Sequence, residues 1–204
     1  MLQKKVVEQQ TLDLLIKIQS VPEFEDLRLV GGTALALQIG HRRSIDLDFF
    51  GNTEFKNISF ENILATFKSV RIVNNSPFIK QYFIDDVKVD FVQYPYKWIR
   101  KEVYMDEVKM ASAEEIAAMK LAAVTNRGSK KDFIDIYYLL KKFSLDEILT
   151  FYESKYKDGS IFLVLKSLIY FDDADAEEMP HTFDDISWQT IKSNITKAHK
   201  TFIG

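Results

Sequence analysis

The chain has 204 residues, 47% of them hydrophobic and 28% charged, with a formal net charge of −3. That length holds one domain, or one domain with an appended subdomain, and the charge balance carries no global nucleic-acid signal, so any basic surface must be local. The lack of cysteine excludes disulfides, thiolate zinc sites and cysteine nucleophiles.

Residues 3–19 keep helical spacing through Val6, Val7, Leu14, Leu15 and Ile18, with Pro22 beyond the end. A short strand over 27–30 runs into Gly31-Gly32, and 33–39 reads as a helix closed by a glycine cap at Gly40. The next strand, 45–50, carries Asp46 and Asp48 and ends at Gly51-Asn52. A helix is expected over 60–67, strands over 71–73 and 79–84, and a hairpin turn at Asp85-Asp86 leading into a strand over 87–92 that Pro95 ends. In the second half, Ser112-Ala113-Glu114-Glu115 reads as a capping box that opens a helix to about residue 126. Gly128 breaks the pattern, and helices follow over 129–142, 145–157, 160–171 and 187–202. The acidic run 172–178 reads most simply as a solvated loop. The expected fold class is α+β: a mixed β-sheet core with flanking helices over 1–100, followed by an α-helical subdomain over 101–204 packed on it. There is no signal-peptide core and no apolar window of about 18 residues, so a cytoplasmic protein with no membrane partner is expected.

The chemistry concentrates in a few places. Asp46 and Asp48, at i and i+2, project from one face of a strand whose other face carries Ile45, Leu47 and Phe49. Taken alone, such a pair is as readily a set of exposed strand carboxylates. Two carboxylates on one face repel each other, and a divalent cation is the usual reason to tolerate them. The preceding glycine pair offers backbone N–H groups and lets a phosphate come close. Asp90 lies on a later strand between Val89 and Phe91, a costly place for an unpaired acid. If its strand lies beside that of Asp46 and Asp48, three carboxylates converge on one or two Mg²⁺ ions that bridge a triphosphate. Lys120 sits inside an apolar helical stretch, either snorkelling from a buried face or aimed at charge developing in phosphoryl transfer. Asp132 and Asp135 share a helix face at i, i+3, where acids also simply favour the helix dipole. Three scattered histidines give no zinc spacing, and no P-loop, nucleophile elbow or Rossmann fingerprint occurs.

The order Gly-Gly, Asp-x-Asp, later strand Asp resembles the DNA polymerase β-type nucleotidyltransferase superfamily. The segments Gly31-Gly32-Thr33-Ala34-Leu35-Ala36-Leu37 and His41-Arg42-Arg43-Ser44-Ile45-Asp46-Leu47-Asp48-Phe49 resemble, more narrowly, the AbiEii/AbiGii-type nucleotidyltransferase toxins. So do Ala117-Ala118-Met119-Lys120-Leu121-Ala122-Ala123 and Arg127-Gly128-Ser129-Lys130-Lys131-Asp132-Phe133-Ile134-Asp135. Where the superfamily often has Gly-Ser, this chain has Gly32-Thr33, one position displaced. The resemblance implies transfer of NMP from an NTP to an acceptor hydroxyl. Asp46, Asp48 and Asp90 hold Mg²⁺ or Mn²⁺ in that scheme; Lys120 and Asp132 complete the catalytic set. Gly31, Gly32, Thr33, Arg42 and Lys120 bind the nucleotide. It further implies an RNA acceptor, the tRNA 3′ end in particular, and a toxin with a cognate antitoxin. Lys97, Arg100, Lys101, Lys109, Arg127, Lys130 and Lys131 are the basic residues available for RNA. The competing readings are transfer to a protein or small molecule, and a non-catalytic nucleotide-binding or partner module.

Overall fold

The structure is a computed structural model describing residues 1–204. It contains a seven-stranded mixed sheet and a set of helices concentrated in the C-terminal half. Contacts divide the chain into two compact units. The first comprises residues 1–40, 44–96 and 102–111; the second comprises 41–43, 97–101 and 112–204.

In the sheet unit, a 3₁₀ turn at Lys4–Val6 precedes helix α1 (Gln9–Gln19), and strand β1 (Arg28–Val30) leads into α2 (Gly31–Ile39). The helix starts six residues later than the apolar spacing suggests. Residues near the N-terminus bond elsewhere: Gln3 N–H donates to Leu37 O and Val6 O accepts from Ser44 N–H. Gly40 caps α2 in the left-handed conformation (φ +72°), as its position predicts. Next come β2 (Leu47–Gly51), the short helix α3 (Phe60–Leu64), β3 (Val70–Asn75), β4 (Ile79–Ile84) and β5 (Val87–Gln93). Asp85 and Asp86 both take positive φ, the backbone that a two-residue hairpin requires. The strands β6 (Val103–Met105) and β7 (Val108–Met110) complete the sheet, in the order β3-β4-β5-β2-β1-β7-β6. This hairpin lies beyond residue 100 yet belongs to the sheet unit, because β7 pairs in parallel with β1. Its strands are three residues long and its Asp106-Glu107 turn lacks glycine, so neither periodicity nor turn chemistry marks it.

Alternation divides β2 and β5 into two faces. Leu47, Phe49, Val89 and Phe91 are buried on one, where Phe49 and Phe91 stack at 5.5 Å and Phe24 meets Phe91 at 4.8 Å. Asp48, Lys88 and Asp90 stand on the other, half-buried.

The helical unit is built around α4 (Ala113–Asn126), which packs against α5 (Lys130–Leu140), α6 (Leu145–Lys155) and α7 (Ile161–Leu168). Ala113, Ala117 and Ala118 are buried along it, and such small side chains allow close approach on several sides. The acidic run forms a short helix, α8 (Asp172–Asp175), instead of a solvated loop. Asp175 there pairs with Lys192 at 2.8 Å and accepts from Trp188 Nε1–H at 2.5 Å. Helix α9 (Trp188–Ile203) closes the unit. The capping box at Ser112 is half formed: the Ser112 hydroxyl accepts from Glu115 N–H at 3.2 Å, but the Glu115 carboxylate turns inward. There it accepts from Ile99 N–H at 2.8 Å and pairs with Lys155, both side chains being fully buried. Lys155 also donates to Lys97 O at 3.3 Å and lies over the Trp98 ring, which fastens segment 97–101 into this unit. Lys155→Ala leaves a buried carboxylate without its cation and should cost about 3–5 kcal/mol of stability. Combining Lys155→Met with Glu115→Gln leaves no charge behind and should recover part of it; urea denaturation of both variants checks this.

Candidate active site

In the sheet unit, β2 runs parallel to β5 with Asp48 directly beside Asp90 in register. Neighbouring strands lie about 4.8 Å apart, so the two carboxylates stand on the same face of the sheet, one strand apart. Asp46 precedes the first residue of β2. Its backbone is fixed from α2: the Thr33 hydroxyl donates to Asp46 O and shares a 2.7 Å hydrogen bond with the Ser44 hydroxyl. Thr33, expected to contact phosphate, is buried. Thr33 spends its hydroxyl on positioning the carboxylate-bearing segment.

Gly31 explains why this segment begins with glycine. Its φ is +69°, and a Cβ there would stand 2.6 Å from Asp48 Oδ2. Only a residue without a side chain permits both the backbone angle and the approach. Gly32 follows in the first turn of α2.

Asp90 shows how the site is poised. Gln81 Nε2 donates to its Oδ2 at 2.8 Å and Lys88 Nζ at 3.1 Å, while its Oδ1 is buried with no hydrogen-bond partner. No three acids or imidazoles form a ready-made metal cage. The residues nonetheless fit Mg²⁺, which is usually held by one or two carboxylates with waters and substrate phosphates supplying the remaining ligands. Asp48 and Asp90 are hard oxygen donors side by side, and the bare Oδ1 is an acceptor in need of a partner.

The helical unit holds a second constellation. Asp135, completely buried, accepts from Arg42 Nε at 2.7 Å and Arg42 Nη2 at 3.0 Å, from His41 Nε2 at 2.7 Å, and pairs with Lys120 Nζ at 2.6 Å. Burial alone would raise its pKa, but the Arg42 and Lys120 charges outweigh that and hold it well below the ordinary carboxylate range. Asp132 accepts from Lys120 at 2.8 Å, from Arg127 Nε at 2.9 Å and from the Ser129 hydroxyl at 2.7 Å. Burial again opposes ionisation, and Lys120 and Arg127 again override it. Such an acid is a weak proton acceptor at neutral pH, so Asp132 organises Lys120 better than it serves as a base. Lys120 is buried, yet both aspartates keep its pKa above the usual lysine value despite that burial. Burial lowers the pKa of His41 against the opposing pull of Asp135, so a neutral imidazole donates Nε2–H. The segment 41–43 joins this unit through backbone pairing, with Phe183 N–H donating to His41 O at 3.0 Å and Arg43 N–H to His181 O at 2.9 Å.

Arg42, expected among the nucleotide ligands, is engaged within the helical unit. It is 4% exposed and its guanidinium is forked onto Asp135. Three of the expected RNA-facing cations are also engaged internally: Lys130 donates to Glu177 O, Lys109 to Glu25 O, and Arg127 to Asp132. Two residues that the motif order does not single out enter the site, Lys88 and Gln81. Lys88 follows from alternation with Asp90 on β5, and Gln81 from the β4–β5 register that sets it opposite Asp90.

The family model for nucleotidyl transferase AbiEii toxins of type IV toxin–antitoxin systems matches residues 13–201. An uncharacterised protein of Aquifex aeolicus is 31% identical over 199 residues, covering 94% of this chain and 95% of its own. Among solved structures, a putative nucleotidyltransferase from Helicobacter pylori superposes with a TM-score of 0.60 at 16% identity, over 96% of this chain and 97% of the other. MenT4, a nucleotidyltransferase toxin of Mycobacterium tuberculosis, does so with a TM-score of 0.58 at 14% identity, over 93% and 80%. The fold is that of the polymerase β-like nucleotidyltransferases, and the chain belongs to the AbiEii nucleotidyltransferase toxin family.

Proposed function

We propose that this protein is a divalent-metal-dependent enzyme that transfers NMP from an NTP to an RNA hydroxyl, with the tRNA 3′ end as acceptor. It would act in the cytoplasm as the toxin of a toxin–antitoxin pair. The observation that carries the metal-dependent reading is the register of Asp48 beside Asp90, with an unpartnered Asp90 Oδ1 and with Gly31 against Asp48. No helix is long and apolar enough to cross a membrane, which is consistent with the assigned compartment.

In this reading Asp48 and Asp90 hold the ion, with Asp46 as the third acid. Held by these residues, a divalent ion would supply Lewis-acid stabilisation of phosphate charge and activation of the attacking hydroxyl. Gly31 and Gly32 keep side chains out of the path of the phosphates. Gln81 fixes the Asp90 carboxylate from its other oxygen. Lys120 remains an ammonium because two buried aspartates hold it so, and it is the cation assigned to phosphate charge.

Incubation with labelled NTPs, Mg²⁺ and total RNA, protein extract or small hydroxylated compounds tests the acceptor. Label should appear in RNA of tRNA size; label confined to protein overturns the RNA assignment. Asp48→Asn should reduce transfer by about a thousandfold with little change in melting temperature. Arg42→Lys should act in the opposite way. It exchanges a fork on a buried carboxylate for a single point charge, costing about 2–3 kcal/mol of stability, while KM for the NTP stays near the wild-type value below the melting transition. A KM increase without destabilisation would return Arg42 to the nucleotide site.

A further inference from the structure

Lys88 belongs to none of the motifs that identify the family, yet it stands in the middle of the carboxylate face. It lies at i, i+2 with Asp90 on β5, and its side chain is 37% exposed. Its ammonium and the Gln81 amide both take the same oxygen of Asp90, leaving the other bare. The ammonium thus pairs directly with Asp90, one of the acids assigned to the ion, on the face that Asp48 shares.

We infer that Lys88 is a built-in counter-cation: it neutralises the carboxylate face before a divalent ion arrives, and it competes with that ion for the face. The inference rests on the reading of Asp48 and Asp90 as ion ligands. The chemistry is that of like charges. An ion seated on Asp90 Oδ1 would stand within a few ångströms of the ammonium on Oδ2, and neither gains from the other. The four-carbon stem and the partial exposure give Lys88 a route into water, whereas neutral Gln81 can stay on Oδ2. Deleting the charge therefore leaves the empty face more strained by carboxylate repulsion and more receptive to a divalent ion.

Titration of the full chain with Mn²⁺ alone, by isothermal calorimetry, tests this. Lys88→Met should tighten Mn²⁺ binding by about tenfold, and Lys88→Arg, which keeps the charge, should stay within about twofold of wild type. Lys88→Met should also melt below wild type without Mn²⁺ and gain more from saturating Mn²⁺. Where Lys88→Met does not fold, Lys88→Gln carries the same expectation and retains a polar contact to Asp90. Unchanged or weaker Mn²⁺ binding in the neutral variant overturns the counter-cation. So does a loss of NTP affinity at unchanged Mn²⁺ affinity, which would make Lys88 a phosphate ligand. Asp48→Asn separates the two levels. If Mn²⁺ uptake is the same in wild type and Asp48→Asn, the assignment of the ion ligands falls and the counter-cation with it. Asp48-dependent uptake that ignores Lys88 sinks the counter-cation alone.

Discussion

The helical unit depends on one buried charge. Asp135 is fully enclosed, and a carboxylate in that position is tolerated only with its lone pairs filled and its charge matched. Arg42 supplies a planar fork, Lys120 a point charge and His41 a neutral donor. Arg42 and His41 come from the segment 41–43 and Lys120 from α4, so satisfying one acid of α5 fixes these three stretches against one another. That requirement also explains the protonation states: the carboxylate stays ionised, the lysine stays charged and the imidazole stays neutral.

The sheet unit obeys a different constraint, strand register. A slip of one residue between β2 and β5 would send Asp48 into the face occupied by Phe24, Phe49 and Phe91. The aromatic cluster on one side therefore secures the alignment of Asp48 with Asp90 on the other. Gly31 adds a second condition, since its backbone occupies the space beside Asp48 that any side chain would need. Thr33 adds a third by tying the start of α2 to the Asp46 backbone. The site is thus assembled largely by parts that never touch a substrate.

Much of this was legible in the sequence, and the rest was hidden for identifiable reasons. The alternation around Asp48 and Asp90, the glycine cap at Gly40 and the break at Gly128 are local signals, and local signals survive without knowledge of the fold. The hairpin of β6 and β7 is too short for periodicity to report. The acceptors that Arg42 and Thr33 find are not legible, because a sequence displays donors but not the partners they meet. Arg42 meets Asp135 from 93 positions away, a distance at which spacing carries no information. Glu115 illustrates the same limit. Its position fits a capping box, yet a buried lysine forty residues on takes its carboxylate instead, while the unremarked Ser144 and Glu147 form the complete box. Lys88 is legible as an alternation partner of Asp90, but that Gln81 joins it on the same carboxylate oxygen depends on which strand lies beside β5.

The two units handle acidic side chains in opposite ways, and the contrast separates structural carboxylates from those that await a ligand. Asp135 and Asp132 are crowded with donors on both oxygens, so that nothing further can be added without removing something. Asp90 has two donors on one oxygen and none on the other. A buried acceptor left bare costs about 1–3 kcal/mol, and a fold that has matched every oxygen of Asp135 had the means to match this one. Asp90 thus presents an unfilled acceptor beside a second carboxylate, with Lys88 as its partial counter-charge, and on the proposed reading its last partner is a cation from outside the chain.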